Sequence, residues 1–307
     1  MKILVIGATG HVGSYLVKEL VKLNHQVIAV SRGNKKAYGY DESIWNKVQC
    51  VNMAREEIEN SDYIAKVNPD VICDLIAFTL DGVKKIVSKI KNNAFYLQMG
   101  SIWTYENKVY VPVDESHPKN SIQEYGKQKG LIEDYLLDLA KKGLLRTTVI
   151  HAGHVSAKEW QPINPQGNLD ITVFEKIKKG EKIVLPYLGL NTLQHIHAED
   201  LAKTVVACID NQDKANGEAF ICTAEKAMTL KAISEELYAY FNKKPNIEYV
   251  SWEEFEKIVG KENALDTFDH ISHSPCCTIE KLKKVLGVQI KYDILSIYRE
   301  FIEFNKI

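Results

Sequence analysis

The chain has 307 residues, of which 45% are hydrophobic and 26% are charged, and its net charge is −1. This composition is typical of a globular protein with a large core, and the near-zero charge argues against nucleic acid or an anionic membrane as a partner. No apolar run approaches the roughly 20 residues that cross a bilayer, and the six cysteines have neither a disulfide-framework nor a metal-site spacing. We therefore expect a cytoplasmic protein that binds no metal.

The chain begins with a short apolar strand and a glycine-rich turn. Ile3-Leu4-Val5-Ile6 is typical of a buried parallel strand, and Gly7-Ala8-Thr9-Gly10-His11-Val12-Gly13, the glycine turn, follows it directly. An amphipathic helix is predicted over 11–23. Only residues without a Cβ let a pyrophosphate approach the backbone closely, and the helix then points free N–H groups at the phosphates. Glycines also mark ordinary turns, but strand, glycines and helix in this order predict dinucleotide binding.

Strands and helices alternate through the first half of the chain. Further strands are predicted over 26–30, 48–51, 71–76, 95–99 and 147–150, and helices over 55–65, 83–90 and 122–141. This alternation predicts an α/β fold with a doubly wound parallel sheet, the Rossmann fold.

The pattern changes after His151. Residues 156–170 read as irregular, and so does the segment that carries His270 and His273. Helices are predicted over 171–179, 198–209, 229–240, 253–259, 279–286 and 294–304, and short strands or extended segments over 183–185, 191–197, 220–222 and 247–250. We predict a dinucleotide-binding domain over 1–155. Residues 156–307 would form mainly a smaller C-terminal substrate-binding lobe, with some segments returning to the sheet.

A tyrosine and a lysine four residues apart open the long helix after the fifth strand. Tyr125 and Lys129 share one helical face. A phenol normally loses its proton near pH 10, but an ammonium group and a nicotinamide charge would lower that pKa. Ser101, at the carboxyl end of the fifth strand, could hydrogen-bond a substrate oxygen. Such a pair also arises by chance on many helices, so its position beside the glycine turn is what favours a catalytic role.

These motifs together resemble the short-chain dehydrogenase/reductase superfamily, in its extended, NAD-dependent epimerase/dehydratase-like branch. The glycine turn matches the Gly-x-x-Gly-x-x-Gly pattern of that branch, and Tyr125 and Lys129 match its Tyr-x-x-x-Lys pair. The segment 100–105 looks like its Ser-x-x-x-Tyr stretch, and 195–202 resembles its His-Val-x-Asp-Leu-Ala stretch. The resemblance implies that Ser101, Tyr125 and Lys129 are catalytic. It also implies a possible homodimer formed through the helices predicted over 83–90 and 122–141.

Departures from the branch pattern restrict the reactions and the cofactor that we expect for this chain. The sugar 4,6-dehydratases of the branch carry Thr-Asp-Glu at the serine position, whereas Ser101 is followed by Ile and Trp, which disfavours dehydration. The second strand ends without a carboxylate and is followed by Arg32, which suits a 2′-phosphate and favours NADP over NAD. A solvated loop charge is the alternative reading of Arg32. Where the branch commonly has Arg-Pro, this chain has His151-Ala152, so substrate contacts inferred from that stretch stay open.

Individual residues are predicted for the NAD(P) site and for the substrate site. The cofactor-binding residues are predicted to be Gly7, Thr9, Gly10, His11, Val12, Gly13, Arg32, Ala77, Lys129 and Val155. The candidate substrate-binding residues are Trp103, Trp160, Asn164 and His270, with His273 nearby; each is also a common packing residue.

Two functions from different classes remain open. The first is an NAD(P)-dependent oxidoreductase or epimerase that acts on a secondary alcohol or carbonyl of a small polar substrate, possibly a sugar nucleotide. The alternative is a non-catalytic NAD(P)-binding regulator or an RNA-binding relative on the same fold.

Overall fold

A computed structural model describes residues 1–105 and 110–307 of the chain. Its strands, in chain order, are β1 Lys2–Ile6, β2 Gln26–Ser31, β3 Gln49–Asn52, β4 Val71–Asp74, β5 Phe95–Ser101, β6 Arg146–Ala152, β7 His154–Ser156, β8 Ile183–Pro186, β9 Thr192–Leu193, β10 His195–His197, β11 Glu218–Cys222, β12 Met228–Thr229 and β13 Ile247–Val250.

The helices are α1 His11–Lys22, α2 Glu42–Trp45, α3 Arg55–Asn60, α4 Tyr63–Val67, α5 Leu80–Ser88, α6 Glu124–Lys141, α7 Thr172–Lys179, α8 Ala198–Asp210, α9 Gln212–Ala215, α10 Leu230–Tyr240, α11 Trp252–Val259, α12 Lys261–Ser272, α13 Glu280–Leu286 and α14 Ile294–Asn305. A 3₁₀ turn over Ile102–Tyr105 follows β5. None of the helices in the described part of the chain is both long and apolar enough to cross a membrane.

Seven parallel strands form the central sheet, in the order β11-β6-β5-β4-β1-β2-β3. Successive residues of β1 are buried on both faces: Ile3 and Val5 lie in a core with α1 and α8, and Leu4 lies in a core with α5 and α6. Helices therefore cover both sides, which confirms the predicted doubly wound α/β fold. The strand order reverses between β1 and β4, and ligands bind at such a switch point, outside the carboxyl ends of the strands.

The second half of the chain contributes both to the sheet and to a separate core. Strand β11 pairs with β6 at the edge of the sheet. Helices α7, α10 and α14 pack with β8 around a second core that includes Phe174, Leu237 and Phe301. Two short parallel pairs, β7 with β10 and β8 with β13, connect this part of the chain internally.

Two stretches differ from their predicted secondary structure. The helix predicted over 55–65 is interrupted at Ser61 and Asp62, so that α3 and α4 are separate helices. The segment before the last helices was predicted to be irregular, and this is wrong: α12 spans Lys261–Ser272 and includes His270, with His273 as its C-cap. Its buried positions follow a helical period, but Asn, Asp and Thr residues with low helix propensity obscured that period.

Candidate active site

A cavity of about 500 Å³ lies at the carboxyl edge of the sheet, where β1, β4, β5 and β6 end. Glycines of the glycine turn line one end of the cavity, and residues that follow β5 and β6 line the other. The members that the sequence predicted are Gly7, Gly10, His11, Val12, Gly13, Ser101, Trp103, Tyr125, Lys129 and Val155. The structure thus brings the predicted catalytic residues together with most of the predicted cofactor residues.

The backbone of the glycine turn leaves no room for larger residues at two positions. Gly7 has φ +90°, and a Cβ there would lie 2.8 Å from Ile76. A Cβ on Gly13 would lie 2.3 Å from the carbonyl oxygen of Gly7, because α1 packs directly against the turn. Helix α1 begins at His11 with no acidic residue in its first turn. Its N-terminal N–H groups and the positive end of its dipole therefore face the cavity without a competing carboxylate, as a pyrophosphate requires.

Lys129 is buried between the ends of two strands and is only 2% exposed. Its Nζ donates hydrogen bonds to the carbonyl oxygens of Ala77 at 2.7 Å and Met99 at 2.8 Å. Burial lowers the pKa of Lys129 to about 8, and the Asp74 carboxylate opposes that fall. Asp74 is itself buried and paired with Arg55 at 2.5 Å. Ala77 therefore contributes a carbonyl that holds Lys129, and its side chain packs in the core.

Tyr125 lies at the opening of the cavity, one helical turn before Lys129, and is 38% exposed. Nζ of Lys129 is 5.4 Å from the centre of the Tyr125 ring. Burial raises the pKa of Tyr125, and a side-chain hydrogen bond with Ser101 opposes the rise. The protein groups alone thus hold Tyr125 as the neutral phenol. The lowered pKa expected from the sequence would need the cofactor's positive charge in addition.

A buried hydrogen-bonded pair that could not be found from the sequence, His151 and Glu133, lies behind Ser101. His151 of β6 places Nδ1 3.1 Å from the backbone nitrogen of Ser101 and 3.0 Å from its carbonyl oxygen. Its Nε2 donates to Glu133 of α6 at 2.6 Å, and Lys119 contacts the other Glu133 oxygen at 2.9 Å. Contact with His151 and Lys119 lowers the pKa of Glu133 to about 2, against the effect of burial. Glu133 is therefore a carboxylate at neutral pH and fixes the imidazole behind Ser101.

The remaining predicted cofactor residues lie near the glycine turn. Arg32 is exposed directly after β2, and Thr9 lies within the turn. Lys35, three residues after Arg32, lines the cavity, although the sequence analysis did not name it. The only sequence signal for Lys35 was its place in the loop after β2, which is shared by other charged residues.

Trp103 and His270, two of the predicted substrate-binding residues, lie at the other end of the cavity. Trp103 lines the cavity, and the His270 ring lies edge-on 6.1 Å from it. His273 stacks on Trp103 with ring centroids 4.1 Å apart and planes 14° apart. His154, the first residue of β7, also lines the cavity, and its ring is 5.5 Å from that of His270. These four side chains form the ring cluster.

Trp160 and Asn164 lie elsewhere than the sequence analysis expected. Trp160 packs on His11 at the start of α1, with ring centroids 3.4 Å apart, and so adjoins the glycine turn. Asn164 is fully buried, and its side chain bonds within its own loop: it donates to Asn168 and Asp170 and accepts from the backbone N–H of Gln166. These bonds use the amide groups of Asn164, so its role in this structure is to shape the loop.

Among the described residues, no group of three or more His, Cys, Asp or Glu side chains is arranged to hold a metal ion. The cysteines in that part of the chain are free thiols.

Comparisons with known proteins place this geometry in a family. The Arabidopsis thaliana protein named chloroplast stem-loop binding protein of 41 kDa b is 24% identical over 304 residues, which cover 96% of this chain and 76% of that protein. A UDP-glucose 4-epimerase of Rhizobium leguminosarum bv. trifolii is 22% identical over 329 residues, covering 97% and 95% of the two chains. The solved structure of UDP-glucose 4-epimerase from Thermotoga maritima with UDP-glucose has a TM-score of 0.75 at 17% identity, covering 100% of this chain and 99% of that one.

The structural likeness supports the Rossmann fold, and the resemblance to the extended short-chain dehydrogenase/reductase branch that was drawn from the motifs is confirmed. The model of the NAD dependent epimerase/dehydratase family matches residues 3–222. Because that match spans well over half of the 307 residues, the chain belongs to the NAD dependent epimerase/dehydratase family.

Proposed function

We propose that this protein is an NAD(P)-dependent oxidoreductase or epimerase that acts on a secondary alcohol or carbonyl of a small substrate. The observation that carries the proposal is the convergence of the glycine turn, Ser101, Tyr125 and Lys129 on one cavity. The glycine turn fits a dinucleotide, because Gly7 and Gly13 bring the backbone to the cavity without side chains in the way. Membership of an NAD-dependent family supports the same cofactor class.

Each catalytic residue has a distinct role in the proposed mechanism. A bound nicotinamide supplies or accepts the hydride. In the reductive direction the carbonyl carbon gains that hydride, the carbonyl π bond opens, and Tyr125 gives its phenolic proton to the oxygen. Ser101 orients the oxygen through a hydrogen bond. Lys129, held by two backbone carbonyls, would bind the ribose of the cofactor and would stabilise the phenolate form of Tyr125. In an epimerase the same groups would act in both directions on one substrate.

The test is a Tyr125→Phe variant assayed for hydride transfer beside the wild type. We expect turnover to fall by about a thousandfold, in line with the effect of removing a general acid, with cofactor binding unchanged. Ile122→Ala is a matched control, because Ile122 precedes the same helix and its side chain is exposed. Full activity of the phenylalanine variant would overturn the proposed chemistry.

We further propose that NADP is preferred and that 4,6-dehydration is not the reaction. No carboxylate ends β2, and Arg32 and Lys35 follow it. The residues directly after Ser101 are Ile102 and Trp103, so the two acids that assist elimination in the sugar dehydratases are missing from that position. Titration of cofactor-stripped protein with NADPH and NADH tests the preference. We expect tighter NADPH binding that Arg32→Ala or Lys35→Ala weakens; equal affinities would argue for NAD.

A non-catalytic role is the second candidate, because one relative is named a stem-loop binding protein. The net charge of −1 argues against an RNA surface, and a binder has no need of Ser101, Tyr125 and Lys129 in one cavity. If Tyr125→Phe bound cofactor normally and kept all cellular function, the binder would be favoured.

The remaining predictions concern location and assembly. We propose a cytoplasmic protein with a small-molecule substrate, and a homodimer formed through α5 and α6. On α6, Ile132 and Leu136 are buried within the chain, whereas Leu131 is 39% exposed and faces outward. Sedimentation velocity of the wild type and of Leu131→Glu tests the dimer: we expect the substitution to produce monomers.

A further inference from the structure

Aromatic and imidazole rings build the substrate end of the cavity. Trp103 lies edge-on to Tyr125 with ring centroids 5.8 Å apart, and it stacks on His273. The His270 ring also lies edge-on to Trp103, with ring centroids 6.1 Å apart. Because Trp103 is held on several sides, it presents a flat surface of fixed orientation beside the reacting tyrosine. Such surfaces favour planar ligands that stack or meet the ring edge-on.

Cationic side chains are missing from this end among the described residues. The two cations that line the cavity are Lys35, near the glycine turn, and Lys129, whose ammonium is bound by two carbonyls. The four arginines lie elsewhere: Arg55 pairs with Asp74, Arg146 pairs with Asp213, Arg299 lies over Tyr240, and Arg32 is exposed after β2. A buried diphosphate needs guanidinium or ammonium partners, or a helix N-terminus. The N-terminus of α1 belongs to the glycine turn. The N-terminus of α6, where Tyr125 lines the cavity, carries Glu124 in its first turn, and that carboxylate disfavours a second anion there.

Two histidines near this end, His154 and His270, are neutral at physiological pH. Burial, together with the neighbouring His195 and His270, lowers the pKa of His154 well below its usual value. Burial likewise lowers the pKa of His270, whose Nδ1 donates to the Gly167 carbonyl at 2.7 Å. His154 has a buried Nε2 without a hydrogen-bond partner in the described part of the chain. Trp103, His154 and His270 therefore offer surface and hydrogen-bonding atoms, but no positive charge.

We propose that the substrate is an uncharged, planar carbonyl compound or its alcohol, of the aryl ketone kind, and not a nucleotide-linked sugar. This inference rests on the proposed function, since it concerns the substrate of the same hydride transfer. The planar ring packs on Trp103, and the carbonyl oxygen reaches Ser101 and Tyr125. A nucleotide-linked sugar would place its diphosphate against the neutral rings of Trp103, His154 and His270, and removing the diphosphate from water there has a high desolvation cost. This substrate class is more specific than the small polar substrate expected from the sequence.

The test measures binding separately from turnover. Wild-type protein saturated with NADP⁺ is titrated by calorimetry with three neutral bicyclic ketones (1-indanone, 1-tetralone and 4-chromanone) and with UDP-glucose and UDP. We expect at least one ketone to bind with a Kd of about 1 mM or tighter, and we expect no binding of either nucleotide at about that concentration. If UDP-glucose bound in this range, or if none of the ketones did, the inference would be overturned.

Two variants at position 103 show whether the Trp103 ring contacts the ketone. Trp103→Phe keeps a flat ring, whereas Trp103→Ala removes it. We expect ketone affinity to be retained within about threefold in the phenylalanine variant and to fall about tenfold, or about 1.4 kcal/mol, in the alanine variant. Equal affinities of the two variants for the ketone would overturn the role of Trp103, and circular dichroism and NADPH affinity verify that both are folded.

The outcomes also separate this inference from the proposed function. If a ketone binds but wild-type protein with NADPH does not reduce it, the cavity takes neutral planar ligands as inferred, and the hydride-transfer proposal fails for that class. If UDP-glucose binds and is epimerised, the hydride-transfer proposal stands and the neutral-substrate inference is overturned.

Discussion

The buried ammonium of Lys129 makes a prediction about stability that does not depend on knowing the substrate. In the folded chain its pKa is lowered from 10.5 to about 8, because burial disfavours the charged form. Between these two pH values the unfolded chain holds the proton and the folded chain does not. Unfolding therefore takes up a proton, and the free energy of unfolding rises with pH through this window. Below about pH 8 both states are protonated, and this contribution no longer changes.

The magnitude follows from the two pKa values. Each pH unit between them is worth about 1.4 kcal/mol, so the whole window contributes about 3 kcal/mol, of which about 2.5 kcal/mol is gained between about pH 7 and about pH 10. The variant Lys129→Met has a similar shape and no titrating group. We expect the wild type to gain about 2.5 kcal/mol of stability relative to this variant over that range.

Urea denaturation of both proteins at a series of pH values measures this difference. Other groups that titrate in the range are common to both proteins and cancel in the subtraction. A wild-type minus variant difference that stayed constant with pH would refute the reasoning, because Lys129 would then have the same pKa folded and unfolded. The same lysine links stability to activity: we expect reductive turnover to fall as pH rises above about 8, where the ammonium is lost.

Two further sets of substitutions test the glycine turn and the contact between Glu133 and His151. Gly13→Ala places a Cβ 2.3 Å from a backbone oxygen of the glycine turn, whereas Gly10→Ala places one at 3.2 Å. We expect Gly13→Ala to lower the free energy of unfolding by about 1–3 kcal/mol and to weaken NADPH binding in a titration. Gly10→Ala should have only a small effect on stability and on NADPH binding. Glu133→Gln removes the carboxylate that fixes His151 behind Ser101. Steady-state kinetics should show kcat reduced about tenfold with the KM for cofactor unchanged. Circular dichroism verifies that the variant is folded, because loss of folded protein would also lower the apparent kcat; an unchanged kcat would contradict the role of Glu133.

Local pattern was enough to predict most of the sheet and its first crossover. Strand β1 is buried on both faces, so its apolar run was continuous, and the glycine turn that follows has few alternative conformations. Helix α12 was missed because its buried positions, Ala264, Thr267 and Ile271, lie among polar residues that favour loops. The break between α3 and α4 falls at Ser61 and Asp62, and the buried residues on its two sides, Ile58 and Ile64, are six residues apart, which does not fit one helical face.

The placement of the proposed catalytic residues in one cavity was predictable for a topological reason. Ser101 ends β5 and Tyr125 begins the helix that follows, so any parallel sheet with this order brings them to one edge. The pair of Glu133 and His151 could not be found in this way. Its two members lie 18 residues apart on different elements, and their 2.6 Å contact depends on how α6 packs on β6. Sequence spacing encodes neighbours on one element, but not the register between two.

Helix α6 explains how these separate contacts act together. Tyr125, Lys129 and Glu133 are spaced four residues apart and share one face of the helix. Tyr125 reaches the cavity, Lys129 binds the carbonyl of Met99 on β5, and Glu133 binds His151 on β6. A shift of α6 along its axis would have to break two buried polar contacts, and leaving such groups unpaired costs about 1–3 kcal/mol each. The polar contacts of Lys129 and Glu133 therefore fix the height of Tyr125 above the sheet, which is the distance that proton transfer to a substrate oxygen depends on.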